Sequence, residues 1–490
     1  MGVKLEDLSV GKLGFVEKHG LWSDEQREAA RRLVAQIGEL GLQTVRISFG
    51  DQHGILRGKT LTAHDAAHAL RNGIDFPSDI LAFDTANDPA FPVFSSGGGF
   101  GMPEMTGIPD VLLVPDPLTF RVLPWAPRTG WLLSDMYFDS GAAVPFATRH
   151  LLRTALGELQ RRGLEYVSGL EVEFYITKLE DPMLRPEQAG RPPDPPRVSV
   201  IAHGFQYMSE SRNDEIDHLL QLLREHLLAV GLPLRSMEDE WGPGQCEFTF
   251  DPLPGLGSAD AMLLFRTAVK QICRRQGYLA TFMCRPGLPN LYSSGWHLHE
   301  SVIRAGSGQN MFTAEDERAP LSAFGQHFLG GLLEHAAASA VFSTPTINGY
   351  KRYRPYSLAP SRATWGIDNR CAMIRVIAGN GPNAHIENRI GEPAANPYLY
   401  MASQIWAGLD GVDRKIDPGA PSDEPYEATD RVRLPQSLME AVEALKQSAL
   451  FRERLGRTFV DYIVELKQHE IERFLSYVTD WEHREYFEVF

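Results

Sequence analysis

The chain is 490 residues long and carries 48 Lys plus Arg against 63 Asp plus Glu, a formal net charge of −15. Its 43% hydrophobic and 23% charged content is that of ordinary globular proteins, which excludes wholesale disorder; the length accommodates roughly two to four domains, or one large domain with a smaller companion. An acidic chain lacks the cationic footprint that a phosphate backbone requires, so no nucleic-acid partner is expected.

The first segment, MGVKLEDLSVGKLGFVEKHG, has no basic region followed by an apolar core, and no secretory signal is expected. Residues 23–40 open on the cap-like pair Ser23-Asp24 and carry helical apolar spacing, so 1–40 reads as an extension bearing one helix. LQTVRISFGDQHGILRGKTL (42–61) alternates around a glycine-bearing turn and reads as a hairpin. Residues 76–127 are rich in Pro and Gly, which predicts short strands between long functional loops. A strand over 131–141 closes this first unit, placed at 41–142. A helix over 146–162 then leads into the strand GLEYVSGLEVEFYIT (163–177), and DPMLRPEQAGRPPDPPR (181–197) is a polar surface loop or flap. A helix over 211–230 precedes strands around EDEWGPGQCEFTFDP, and a helix over 258–276 precedes strands around TFMCRP and SGWHLHESV. Residues 435–490 read as helical and charged.

The apolar-looking stretch 257–285 is broken by Asp260, Arg266, Lys270, Arg274 and Arg275, so it reads as an amphipathic helix; no run nears the ~18 apolar residues that a membrane span needs. The pattern is α+β: a small β-rich N-terminal domain and a large mixed domain over 143–490. Cys246, Cys273, Cys284 and Cys371 show no C-x-x-C spacing, which argues against a disulfide framework or structural zinc and for a reducing cytoplasm.

In GLEVEFYI, Glu171 and Glu173 alternate on a strand, so both project from one face. Two such acids repel one another unless a positive group lies between them. In EDEWGPGQCEF, Glu240 and Glu247 flank a tight Gly-Pro-Gly reversal that can return both to one place. GWHLHES puts His297 and His299 on one strand face, and AHIENR does the same for Glu387 and Arg389. Five glutamates with one imidazole suit Mg²⁺ or Mn²⁺ better than zinc. Lys351 and Arg352 in NGYKRYRP, with Arg370 and Arg375 in DNRCAMIRV, supply the cations that a transferring phosphoryl group needs. There is no G-x-x-x-x-G-K-[ST] loop, so a P-loop is excluded as the ATP site.

The ordered set E-x-E, E-x-x-P-G-Q-x-E, H-x-H, N-x-Y-K-R, N-R-x-x-x-x-R, I-E-x-R and E-P-A-A-N-P-Y resembles the glutamine synthetase superfamily from about residue 40 onward. The resemblance implies a β-grasp N-terminal domain and a catalytic domain whose antiparallel strands form a funnel surrounded by helices. It also implies a homo-oligomeric ring, commonly a dodecamer, with active sites between subunits. Carried over by motif, Glu173, Glu240 and Glu247 would hold one metal, with Asp239 as a rival to Glu240; Glu171, His297 and Glu387 would hold a second. His299, Ser301, Arg370 and Arg375 would meet ATP and its phosphates. Arg352, Ser293, Gly295 and Arg389 would bind glutamate, with Arg352, Arg370 and Arg389 serving catalysis. The implied chemistry is phosphorylation of the glutamate γ-carboxylate by ATP, then attack of an amine on γ-glutamyl phosphate.

The sequence departs from ammonium-using members of that family where they bind and deprotonate ammonium. The first loop, VFSSGGGFGMPEM, has Ser95 and Ser96 near the position of an aspartate. The flap, RPYSLAP, has Leu358 at the glutamate position, and N-G-S-G has become Tyr292-Ser293-Ser294-Gly295, followed by Trp296. Fewer carboxylates and added Leu, Tyr and Trp disfavour a bare cation and favour an apolar amine, which gains ~25 cal/mol per Å² buried. Leu358, Tyr292, Trp296 and Ser96 are therefore expected to form an amine pocket in a γ-glutamyl-amine ligase, with aniline-like amines favoured. Polyamine or alkylamine ligation, ammonia assimilation and a non-catalytic relative remain the alternatives. Tyr426 reads as an ordinary loop tyrosine.

Overall fold

Helix 24–39 starts where its cap places it. Ser23 Oγ accepts from the Gln26 N–H and Gln26 Oε1 accepts from the Ser23 N–H, a reciprocal cap. Its Leu33 and Ile37 share a small core with Val45, Ile47, Leu70 and Leu132. The structure, a computed structural model, describes residues 13–316, 318–354, 356–377, 381 and 383–490. The expectation about a secretory signal rests mainly on residues 1–12, which lie outside that range.

Six strands form the first sheet: β1 (Thr44–Gly50), β2 (Leu56–Thr62), β3 (Ile74–Pro77), β4 (Asp110–Pro115), β5 (Arg121–Val122) and β6 (Thr129–Tyr137). Their order is β2-β1-β6-β4-β3, with β5 also on β6. β1 and β6 run parallel at the centre, while β1–β2 is the expected antiparallel hairpin. Helix 63–72 and helix 24–39 contribute to the core against this sheet, matching the β-grasp expectation.

The second sheet holds β7 (Leu164–Asp181), β8 (Arg197–Val200), β9 (Leu234–Asp239), β10 (Gln245–Phe250), β11 (Leu253–Pro254), β12 (Tyr278–Thr281), β13 (Trp296–Arg304), β14 (Trp365–Ile367), β15 (Ile374–Ile377) and β16 (His385–Gly391). Its order is β14-β15-β16-β13-β7-β10-β9, with β8, β11 and β12 also pairing with β7. Apart from β14–β15, the pairs are antiparallel. Side chains alternate across a strand, so this sheet has two characters. One face packs Phe174 and Phe248 against Phe265 of helix 257–275. The other carries the charged residues.

Two attachments fix the N-terminal sheet to that scaffold. Asn396 caps helix 397–414 and donates from Nδ2 to the Asp51 carbonyl (2.9 Å), while Arg266 Nη2 donates to the Gly54 carbonyl (2.7 Å). At the chain's end, helix 457–475 reaches back: Tyr462 donates to the Leu81 carbonyl (2.6 Å) and Arg473 pairs with the buried Asp84 (2.8 Å). The four cysteines are free, and no helix among the described residues is long and apolar enough to cross a membrane.

Candidate active site

Strand register assembles the site. Glu247 lies directly opposite Glu173 across β10–β7, and Glu238 lies opposite Glu247 across β9–β10. His297 is opposite Glu171 across β13–β7, His299 is opposite Glu387 across β13–β16, and Arg375 is opposite Glu387 across β15–β16. Residues distant in sequence thus stand in rows on one face, over a cavity of about 2100 Å³. That cavity is lined by Glu171, Glu173, Glu240 and Glu247, by His297, His299 and Ser301, and by Arg352, Arg370, Arg375 and Arg389.

Glu171 is the junction. His297 Nδ1 lies 2.6 Å from its Oε1 and His299 Nε2 lies 3.0 Å from its Oε2. Burial opposes its charge, but these two imidazole bonds outweigh burial and hold the carboxyl far below its ordinary range. Burial also works against charge on Glu387, yet Arg389 and the imidazoles keep it low. Glu387 pairs with Arg389 and, at 3.0 Å, with Arg375. The acids at the other end behave in the opposite way. Burial, together with Glu171 and Glu173, pushes Glu247 up to about 11; burial and Glu173 push Glu240 up to about 8.

These carboxylates require positive charge, and the donor set fits a divalent cation. Glu171, Glu247 and His297 each bring one ligand atom within 4.8 Å of the others, and so do Glu171, His299 and Glu387. Oxygen donors with one imidazole suit hard or borderline divalent ions. Glu171 is common to both clusters. His297 Nδ1 also lies 3.7 Å from Glu387 Oε1, so the expected set of Glu171, His297 and Glu387 does stand together, and His299 joins it because the β13–β16 register sets it directly opposite Glu387.

Asp239 is not a rival to Glu240. It pairs with Cys246, on the opposite face of the sheet from Glu247, and is 2% exposed with neither carboxylate oxygen hydrogen-bonded. Trp296 is likewise corrected. Alternation on β13 turns it away from His297 into the core, fully buried, edge-on to Tyr400 at 5.2 Å. Tyr292, Ser293 and Leu358 do line the cavity. Ser96 is exposed as the first residue of the short turn Ser96–Gly99 and does not line the cavity of its own chain.

The loop 292–295 is held from beneath. Gln245 Nε2 donates to Glu173 Oε2 (3.1 Å) and to Ser294 Oγ (3.0 Å), and the Gly295 N–H donates to Glu173 Oε2 (3.0 Å). A side chain at 295 would meet Arg352 Nη2 at 2.7 Å and His297 Nε2 at 3.0 Å, so glycine is required there. Arg352 itself is buried and donates to the carbonyls of Arg389, Ile390 and Gly391 at 3.0–3.2 Å. It cannot easily yield.

Sequence reasoning missed several lining residues. Glu238 shares the alternation of Glu240 and was legible from it. His385, 3.2 Å from His299, extends the imidazole chain. Phe205, Tyr207 and Trp241 also line the cavity, from loops whose contacts no local pattern foretells. Tyr426 lies in a loop, where it donates to the flap carbonyl of Ala359 (3.2 Å) and its ring lies 5.3 Å from that of Tyr356.

Comparison with known proteins shows the family and the fold. Residues 146–486 match the family model described as the glutamine synthetase catalytic domain. A protein named gamma-glutamylanilide synthase, from an Acinetobacter species, is 44% identical over 98% of this chain and 99% of its own length. A glutamine synthetase of Methanosarcina mazei is 30% identical over 92% and 96%, and a glutamate–isopropylamine ligase of a Pseudomonas species is 28% identical over 95% and 100%. The solved structure of ligand-free GmaS superposes with a TM-score of 0.77 at 28% identity, covering 94% of this chain and 99% of that one. The chain belongs to the glutamine synthetase family. Its class is ATP-dependent ligase, in a family that uses ATP and divalent metal.

Proposed function

We propose that the chain joins the γ-carboxyl of L-glutamate to an organic amine, with aniline-like arylamines favoured, through γ-glutamyl phosphate and with release of ADP and phosphate. The observation that carries this reading is Leu358. It lines the cavity on the flap at the position where the ammonium-using pattern has a glutamate, so no flap carboxylate stands there to hold a cation or take its proton. Tyr292, at the cavity wall, replaces a small polar residue in the same way. An arylamine is neutral near pH 7, so it tolerates this loss where ammonium does not. The name of the 44% identical relative, a gamma-glutamylanilide synthase, supports the same choice.

In this reading Arg352, Ser293, Gly295 and Arg389 seat glutamate. Arg370 and Arg375 stabilise charge on the transferring phosphoryl group, and His299 and Ser301 face ATP. Two ions, Mg²⁺ or Mn²⁺, held by Glu171, Glu173, Glu240, Glu247, His297 and Glu387, would neutralise phosphate charge and orient in-line transfer. The chain's own groups do the rest: Arg375 and Arg389 counter the buried charge of Glu387, and the Gly295 N–H fixes Glu173. We further propose an N-terminal domain at 41–142, a catalytic domain at 143–490 and a cytoplasmic homo-oligomeric ring, a dodecamer, in which Ser96 of one subunit adjoins the site of the next. The test is amine-dependent phosphate release from ATP and glutamate, with mass spectrometry of the product. A γ-glutamylanilide that disappears in Glu171→Ala supports the proposal; absence of turnover with every amine tried would refute it.

A further inference from the structure

Four aromatic rings from three separate segments line the cavity and meet one another there. Phe205 lies 5.7 Å from Tyr292, Trp241 lies 6.2 Å from Tyr292, and Tyr207 lies 6.1 Å from Trp241, all at tilted or edge-on angles. Each is 41–49% exposed, an unusual amount of open aromatic surface inside one cavity. The backbone fixes them. The Phe205 N–H donates to the Trp241 carbonyl (2.9 Å), and the Gly242 N–H donates to Gln245 Oε1 (2.9 Å). The Tyr292 N–H donates to Tyr175 Oη (2.7 Å). Phe205 is held at φ +60°, a conformation that bulky residues seldom adopt and that surrounding contacts must enforce.

The wall stands at a defined end of the site. The Trp241 N–H donates to Glu240 Oε2 (3.0 Å), and Tyr292 opens the loop whose Gly295 binds Glu173. This is the Glu173–Glu247 row. The arginine-rich row of Arg375, Glu387 and His299, where phosphates belong, lies across β7 and β13 from it. We infer that Phe205, Tyr207, Trp241 and Tyr292 form the seat of the amine's aromatic ring and set the preference for aryl over alkyl amines. The inference rests on the proposed amine-ligase function and names the residues that select its substrate class. A flat guest completes the edge-to-face cluster, whereas a short alkyl chain leaves most of that surface wet.

The test is the ratio of KM for aniline to KM for isopropylamine in the full-length protein, in Trp241→Leu and, because one variant could fail to fold, in Tyr207→Leu. The expected ratio rises about ten-fold for Trp241→Leu and less for Tyr207→Leu, while Trp241→Phe restores it to within about three-fold of the natural chain. An unchanged ratio in both leucine variants, with the natural chain turning over aniline, would overturn the ring seat and leave the ligase reading intact. A rise in the KM for ATP in place of that for aniline would assign the wall to the nucleotide base and overturn it too. Failure of the natural chain to use any arylamine would overturn the substrate class itself.

Discussion

Glu173 and Glu247 face one another directly across the antiparallel β7–β10 pair, in a wall of the cavity where burial raises the cost of charge. Opposed like charges on neighbouring strands destabilise a sheet. Such a pair persists in a fold when a cation is part of the working state. The metal-free protein should therefore gain stability on adding Mn²⁺ or Mg²⁺, by about 2.7 kcal/mol at ~100-fold over Kd. Glu247→Gln should weaken that gain at least ~ten-fold in apparent affinity while leaving the metal-free protein no less stable than the natural chain. Calorimetry with and without chelator checks both.

The pH dependence of the metal-free protein follows from the same acids. Glu240 and Glu247 are raised from 4.5 to about 8 and about 11, so the folded state holds protons that the unfolded chain has released. Stability then falls as pH rises above about 4.5, through about 8 and beyond. Glu171 and Glu387 are lowered, so their contribution is already complete above 4.5 and does not vary over pH 6–9. The metal-free Tm should fall between pH 6 and pH 9, and saturating metal should flatten the curve. A metal-free Tm that rises across this window would contradict the arrangement of charges.

Gly295→Ala places a methyl against a guanidinium that three carbonyls anchor. If Arg352 holds glutamate, the KM for glutamate should rise about ten-fold or more with little change in KM for ATP. Steady-state kinetics varying each substrate separately measures the split.

Arg473→Ala should loosen the attachment of the N-terminal sheet. It leaves Asp84, which is fully buried, with its backbone N–H partners but without its guanidinium. Because Arg473 is itself partly exposed, the expected cost is about 2 kcal/mol, below that of a fully buried pair. Chemical denaturation gives the value directly.

Much of the site was legible because its residues come as strand alternations. Glu171 with Glu173 and His297 with His299 need only a period of two to share a face. The same period, applied strictly, also turns Trp296 and Asp239 away from the cavity, and their removal from the site is a consequence of alternation itself. What alternation cannot supply is register between strands. The β13–β16 register decides that His299 meets Glu387, and nothing local to either segment encodes it. Helix 397–414 is buried along nearly its whole length, so it lacks the one-sided stripe by which surface helices are recognised. The aromatic wall joins three loops through tertiary contact; Tyr292 and Trp241 stand in recognisable motifs, but Phe205 and Tyr207 do not, and no motif foretells that the four rings meet.

Leu358 carries the choice of amine, and it can be reversed. Leu358→Glu restores a flap carboxylate beside the cavity, which should raise ammonium-dependent turnover and lower arylamine turnover. The ratio of the two should shift by about five-fold, since position 358 is 56% exposed and a charge–charge contact there is worth about 1 kcal/mol.

Whether the amine is an arylamine or ammonium is decided most directly by kcat/KM for aniline against kcat/KM for ammonium in the natural chain. Both are read as phosphate release with glutamate, ATP and Mg²⁺ held saturating. Aniline is predicted to be preferred, with the γ-glutamylanilide as its product. A preference for ammonium, with glutamine as the product, would contradict the proposed function.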